Sequence, residues 1–466
     1  MEQDSPWAPD RRAFLKNSGM GTSVLALGPL LAGTAGEAAA APGKFDFETP
    51  LNRLGTDSVH WDQPLRDEKM GKIVAGMGVA DMDFRCAPSV MTALAKRMQH
   101  ENWGYIDEDA PGPEAFRQSI IDWNHRRHGI AVMRPDNMGL STGVHTSIAA
   151  ALRAVAPLGS KVLMTTPMYG DFYADLVFTG THPNESQMIY ADGKYQIDWD
   201  DLERRMTPDT KAMILCNPQN PTGNVWTKAE LTRIGELCLK HKIVVLSDEI
   251  HADFVTKGHK FTAFSTLDSK EVVANSITLS SANKSFSLPG LPLAWFFSTN
   301  PDLFQRMAAQ DRPDMNVLGL AAHQAVYSGG EQWLNQCVDY IDANHDFANQ
   351  YIKANIPMLK VGHKPEGTYL VWLDAASVSE KIGAQALADA ENKKTQPISR
   401  WTGKTTVVAP TEIVSHWFAR NAYVKLNPGT TYGKGAANCM RMNIATARPT
   451  LKAALDSMAS ALKNLA

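Results

Sequence analysis

The sequence predicts an α/β protein whose mainly parallel sheet lies between layers of helix. Three observations predict it. Between about residues 88 and 300, short apolar runs alternate with longer helical patterns. The runs are rich in Val, Ile, Leu and Met and lack in–out alternation, as strands covered on both faces do. The candidate reactive residues fall just after those runs, where open α/β sheets hold their ligands.

In chain order, 88–100 reads as a helix opened by Pro88. A second covers 113–128 and is closed by Gly129, a glycine of the kind that caps helix C-termini. Residues 161–165 form a strand. A helix follows from Asp198 to Met206, then a strand over 212–216. Thr227 opens the next helix, and Glu230 three residues later completes a capping box. Residues 243–247 and 277–280 are two more short strands. The pair His125-Arg126 with Arg127-His128 resembles a metal or phosphate patch, but cations are expected at a helix C-terminus and the structural reading is preferred.

Length and charge narrow the function classes. A chain of 466 residues buries a large core and divides into more than one domain. The net charge of −3 lacks the basic excess that nucleic-acid binding demands. Cys86, Cys216, Cys238, Cys337 and Cys439 fit neither a zinc site nor a disulfide framework, so no metal site is expected and buried thiols are. Residues 1–41 differ from the rest. Arg11-Arg12 precede Phe14-Leu15-Lys16, an apolar stretch and an Ala-rich end, and resemble a twin-arginine (Tat) signal with Asp10 in place of the usual Ser or Thr. The Tat export machinery is then a partner and the periplasm the destination, reached after cytoplasmic folding.

Three segments carry chemistry. After the strand at 212–216 comes Asn217-Pro218-Gln219-Asn220-Pro221-Thr222-Gly223. Two Asn-Pro pairs and a glycine make a rigid loop, either a plain turn or a device aiming the Asn220 amide into a cleft. After 243–247 comes Asp248-Glu249-Ile250-His251, where the Asp248 carboxylate is a helix cap, a base or a partner to a cation. After 277–280 comes Ser281-Ala282-Asn283-Lys284, whose lysine, if buried, becomes a usable amine nucleophile. Together they match the needs of pyridoxal phosphate. Lys284 supplies an amine for its aldehyde, Asp248 an anion beside its pyridine nitrogen, and Asn220 a donor to its phenolate oxygen.

The order and spacing of these motifs resemble the fold-type I pyridoxal-phosphate-dependent aminotransferase superfamily (class I/II). Phe45-Asp46-Phe47, Trp61-Asp62, Val79-Ala80-Asp81-Met82-Asp83-Phe84 and Asn102-Trp103-Gly104-Tyr105 are similar to the MalY/PatB-type cystathionine β-lyase branch. The resemblance implies the aspartate aminotransferase-like fold. In it, residues 42–90 are an N-terminal segment packing with the small domain, 91–334 a large cofactor-binding domain, and 335–466 a smaller α+β domain. It implies a Schiff base on Lys284 and a phosphate turn at Gly143, Val144 and His145, aided by the Ser281 hydroxyl. It places Tyr169 as the stacking aromatic, with core packing as the alternative, and His251 near the phenolate oxygen. Arg441 becomes the grip on the substrate α-carboxylate, where a fork suits a carboxylate as lysine cannot. Tyr105 becomes a residue reaching the neighbouring site of a homodimer.

The implied activity is a carbon–sulfur β-lyase acting on a small-molecule amino acid, cystathionine or a cysteine conjugate, and releasing pyruvate, ammonia and a thiol. An aminotransferase is the alternative and racemisation a third outcome, because the fold does not decide between them. About 25 residues around 386–412, including Lys393-Lys394, Trp401 and Lys404, look inserted relative to that branch.

Overall fold

The computed structural model describes residues 43–394 and 406–465. The Tat-like residues Arg11 and Arg12, together with Trp401 and Lys404, lie outside the described residues.

The large sheet has seven strands: β1 (Met138–Ser141), β2 (Lys161–Thr166), β3 (His182–Gln187), β4 (Thr210–Cys216), β5 (Val244–Asp248), β6 (Ser276–Ser280) and β7 (Ala294–Phe297). Their spatial order is β1-β7-β6-β5-β4-β2-β3. Only β7 runs antiparallel to its neighbours; the remaining pairs are parallel. The absence of in–out patterning is explained by two cores. Val162, Met164, Ala212, Ile214 and Leu246 face one layer of helix. Leu163, Met213, Leu215 and Val245, their alternate neighbours, face the other. Successive side chains of a strand point to opposite faces, so a strand between two helix layers must be apolar throughout.

The helices follow their sequence signals. α1 (Pro111–His128) ends at Gly129 with φ 71°, a left-handed cap that a residue with a Cβ would resist. α2 (Val144–Val155) buries Ile148, Ala151 and Leu152 against the sheet. α3 (Lys228–Lys240) carries the expected capping box between Thr227 and Glu230, worth about 1 kcal/mol. The helix expected over 198–206 is shorter, Trp199–Arg204, because Asp198 stays extended and accepts the Asp201 N–H as its cap.

The small sheet consists of β8 (Lys360–Val361), β9 (Leu370–Asp374), β10 (Asn427–Pro428) and β11 (Cys439–Asn443), ordered β8-β9-β11-β10. Val371, Leu373, Met440 and Met442 form its buried face with helices Pro410–Ala422 and Arg448–Lys463. Its opposite face carries Trp372 and Arg441, a directly opposed pair. The N-terminal segment contributes Ala75–Gly76, a two-residue strand parallel to Val424–Lys425. Phe47 of the same segment packs instead on Trp333 and Phe84. In the segment expected to be inserted, Ala384–Lys394 is a helix, and Asn392 bonds both backbone groups of Val408.

Candidate active site

Three adjacent strand ends build the site. In the sheet register Cys216 lies opposite Asp248, and Asp248 opposite Leu279. The loops leaving β4, β5 and β6 therefore start side by side, about 5 Å apart. They bring Asn220, Asp248 and Lys284 to one edge.

Lys284 sits in a four-residue helix, α4 (Ala282–Ser285). Its Nζ donates to the Ala80 carbonyl at 2.7 Å. Burial pulls its pKa down to about 8, helped by Arg441 and opposed by Asp81 and Asp248. A lysine so placed is an available amine near neutral pH. Asp248 is buried and accepts the Ile250 N–H at 3.1 Å. Burial pushes its pKa up to about 6, while Ile250, His145 and Lys284 restrain the rise. A buried carboxylate lacking an ion-pair partner among the described residues suits a cationic ring nitrogen beside it.

Arg441 is buried on β11, and its Nε has no hydrogen-bond partner among the described residues. Its Nη1 donates to Asn220 Oδ1 at 3.0 Å and its Nη2 to the Gly78 carbonyl at 2.6 Å. The Tyr432 ring lies 5.2 Å from the guanidinium. His251 is buried with Nδ1 unpartnered among the described residues, and its ring is 5.8 Å from that of Tyr369. Burial, Lys284 and Arg441 hold its pKa far below the usual value, so it is neutral.

At the other side, Gly143 precedes α2 in extended backbone, and a Cβ there would meet nothing nearer than Thr146 Oγ1 at 3.7 Å. That open space above free helix N–H groups, including those of Val144 and His145, is room for an anion. His145 Nδ1 pairs with Asp175 at 2.9 Å; burial would lower its pKa, but Asp175 outweighs this and raises it. The Tyr169 ring lies 5.7 Å from that of His145, tilted by 36°, and its hydroxyl donates to Asp171 at 2.6 Å. Ser281 is otherwise engaged: its hydroxyl donates to the Leu293 carbonyl at 2.5 Å and accepts the Asn283 N–H. Tyr105 is fully exposed.

Other residues emerge only in three dimensions. A strap, residues 78–83, crosses the site and is tied down by Arg441, by Asn443 to the Val79 and Asp81 carbonyls, and by Tyr369 to the Ala80 carbonyl. Gly78 permits the close approach, since a Cβ there would lie 2.4 Å from Asn427 Oδ1. Asp81 binds His60 and Arg53 at 2.6 Å each; burial would raise its pKa, but these partners bring it to about 2. A separate cleft of about 810 Å³, walled by Tyr190, Tyr195 and Trp372, lies beside this site without containing Lys284 or Asp248.

A buried amine, a buried carboxylate and a helix N-terminus at the carboxyl edge of an α/β sheet define a pyridoxal-phosphate enzyme. The orphaned Arg441 Nε and His251 Nδ1 and the open space at Gly143 fit that cofactor. Residues 72–406 match the aminotransferase class I and II family, and the chain belongs to it. It is 33% identical to cystathionine β-lyase PatB of Bacillus subtilis, over 90% of this chain and all of that protein. It is 28% identical to protein MalY of Escherichia coli, over 90% of this chain and 99% of the other. Among solved structures it resembles pyridoxal-phosphate-containing cystalysin from Treponema denticola (TM-score 0.78, 26% identity, 91% of this chain and 100% of that one). It also resembles a C-S lyase from Staphylococcus hominis (TM-score 0.76, 25% identity, 90% and 99%). The fold is thus aspartate aminotransferase-like and the cofactor pyridoxal phosphate.

Proposed function

We propose that the protein is a pyridoxal-phosphate-dependent carbon–sulfur β-lyase with Lys284 as cofactor anchor and proton-transfer base. The observation that carries the reading is the placement of the Lys284 amine, with its lowered pKa, beside Asp248 and Arg441. Its relatives named cystathionine β-lyase supply the choice of reaction. When bound, the cofactor withdraws electrons from the substrate Cα.

The protein's residues do the rest. Arg441 would hold the substrate α-carboxylate, and Asn220, which accepts from Arg441, would donate its amide N–H to the cofactor. The buried Asp248 carboxylate would hold a proton at the ring nitrogen. The α2 N-terminus with Gly143, Val144 and His145 would hold the phosphate, while Tyr169 would stack on the ring and neutral His251 would face its oxygen; Ser281, whose hydroxyl donates to Leu293, would instead fix the helix that carries Lys284. Lys284 Nζ would take the Cα proton, the Cβ–S bond would break with its electron pair going to sulfur, and the sulfur would take up the proton held by Lys284 and leave as a thiol. The three-carbon remainder takes up water and ends as pyruvate and ammonia. The test is cystathionine alone: pyruvate released without a 2-oxo acid supports the lyase. Turnover only with a 2-oxo acid would replace it with an aminotransferase, the second reading that the family match favours.

The full exposure of Tyr105 supports a homodimer in which it reaches the neighbouring site. Tyr105→Ala restored by mixing with Lys284→Ala subunits would test this. Arg11-Arg12 support Tat export to the periplasm, and Arg11→Lys with Arg12→Lys should hold the protein in the cytoplasm.

A further inference from the structure

α4 is one turn long. A helix of that length has no stability of its own, so its placement is set by what its ends touch. One end is tied by Ser281 to the Leu293 carbonyl. The other is tied by Ser285, the neighbour of Lys284, whose hydroxyl donates to Asp253 Oδ2 at 2.5 Å.

Asp253 belongs to the turn that follows β5 and carries His251. Its other oxygen, Oδ1, accepts from Arg127 Nε at 2.6 Å and lies 3.2 Å from His128 Nε2. Arg127 and His128 are the last two residues of α1. Arg127 is held in turn by Asn335 at 2.7 Å and by the face of Trp123, 5.4 Å away. The carboxylate is buried, and although burial opposes it, His128, Arg127 and Ser285 keep its pKa well below the usual carboxylate range. A carboxylate kept ionised among three donors is a rigid junction, because charge-assisted hydrogen bonds are short and strong.

We infer that Asp253 is a positioning residue for the reaction: through Ser285 it fixes α4, and so the direction in which Lys284 delivers its amine. The junction joins three parts that must stay in register, the Asp248–His251 segment, the Lys284 helix and the end of α1. It touches neither cofactor nor substrate. Its effect therefore falls on the proton-transfer step and not on substrate affinity.

Ser285→Ala cuts the link while leaving the Asp253–Arg127 pair intact, and Ser285→Thr keeps the hydroxyl. Ser285→Ala should lower kcat about 10- to 100-fold, the range corresponding to loss of a hydrogen bond to a charged group. KM and Tm should stay near wild type, and Ser285→Thr should restore most of kcat. In cofactor-free protein, the pH at which the Lys284 amine reacts with an acylating reagent, read by peptide mass spectrometry, should move by roughly half a unit or more in Ser285→Ala.

The inference rests on Lys284 being the working amine. If Lys284→Ala keeps full turnover, that reading fails. If Lys284→Ala is inactive while Ser285→Ala matches wild type in both kcat and Lys284 reactivity, Asp253 is overturned alone. A loss of kcat that merely follows a fallen Tm, or that Ser285→Thr does not restore, overturns it too.

Discussion

Lys284 and Tyr369 donate to one and the same acceptor, the Ala80 carbonyl, at 2.7 Å and 2.9 Å. When Lys284 turns toward a cofactor, Tyr369 is left as the sole side-chain donor to that carbonyl among the described residues. The phenol thus keeps the strap in place while the lysine swings.

Tyr369→Phe removes that support and little else. One hydrogen bond is worth about 1 kcal/mol, so kcat should fall roughly fivefold while cofactor binding persists. Steady-state kinetics beside a cofactor titration checks this; unchanged kcat would show that the strap needs no such tie.

The Lys284 amine is costly to keep charged. Its pKa is lowered from 10.5 to about 8, so in cofactor-free protein its burial penalty is fully present below pH 8 and vanishes as pH rises from 8 to 10.5. Lys284→Met should therefore stabilise the cofactor-free protein at pH 7 by about 2 kcal/mol. Denaturant titrations at pH 7 and pH 10 should show the gain shrinking; an equal gain at both would refute the cause.

Arg441→Lys keeps the charge and loses the fork. The bonds to Asn220 and Gly78 cannot both be remade by an ammonium. KM for the amino acid should rise about 30- to 100-fold, with a smaller change in kcat. A change confined to kcat would place the substrate carboxylate elsewhere.

Glu68 joins the N-terminal segment to the helix Pro410–Ala422 and the strand Val424–Lys425. Its carboxylate accepts from Lys425 at 2.5 Å and meets His416 Nδ1 at 2.5 Å. Burial opposes ionisation, but these partners lower its pKa from 4.5 to about 2. The stabilisation is present above pH 4.5 and is lost as pH falls toward 2. Glu68→Gln should cost about 2 kcal/mol at neutral pH, measured by denaturant unfolding, and much less at pH 3.

The site was legible where chemistry follows a strand. Asn220, Asp248 and Lys284 each come just after an apolar run, and the sheet register alone brings those ends together. Helix limits were legible where a cap announces them, at Thr227 and Gly129. Tyr369 and Asp253 were not legible. Tyr369 acts on a carbonyl 289 residues away, and Asp253 takes its meaning from Arg127 and Ser285, on different elements. Nothing local marks such residues, because their roles exist only once the chain is packed. Ser281 is the converse: it lies in the expected segment, yet its hydroxyl proton goes to Leu293.

α1 has a mechanical meaning beyond its packing. Eighteen residues make a stiff rod about 27 Å long. Its near end begins directly after the exposed loop that carries Tyr105, and its far end is bolted to Asp253, the acceptor of the Ser285 hydroxyl. The same helix thus spans from the Tyr105 loop at the surface to the carboxylate that holds Ser285, the neighbour of Lys284.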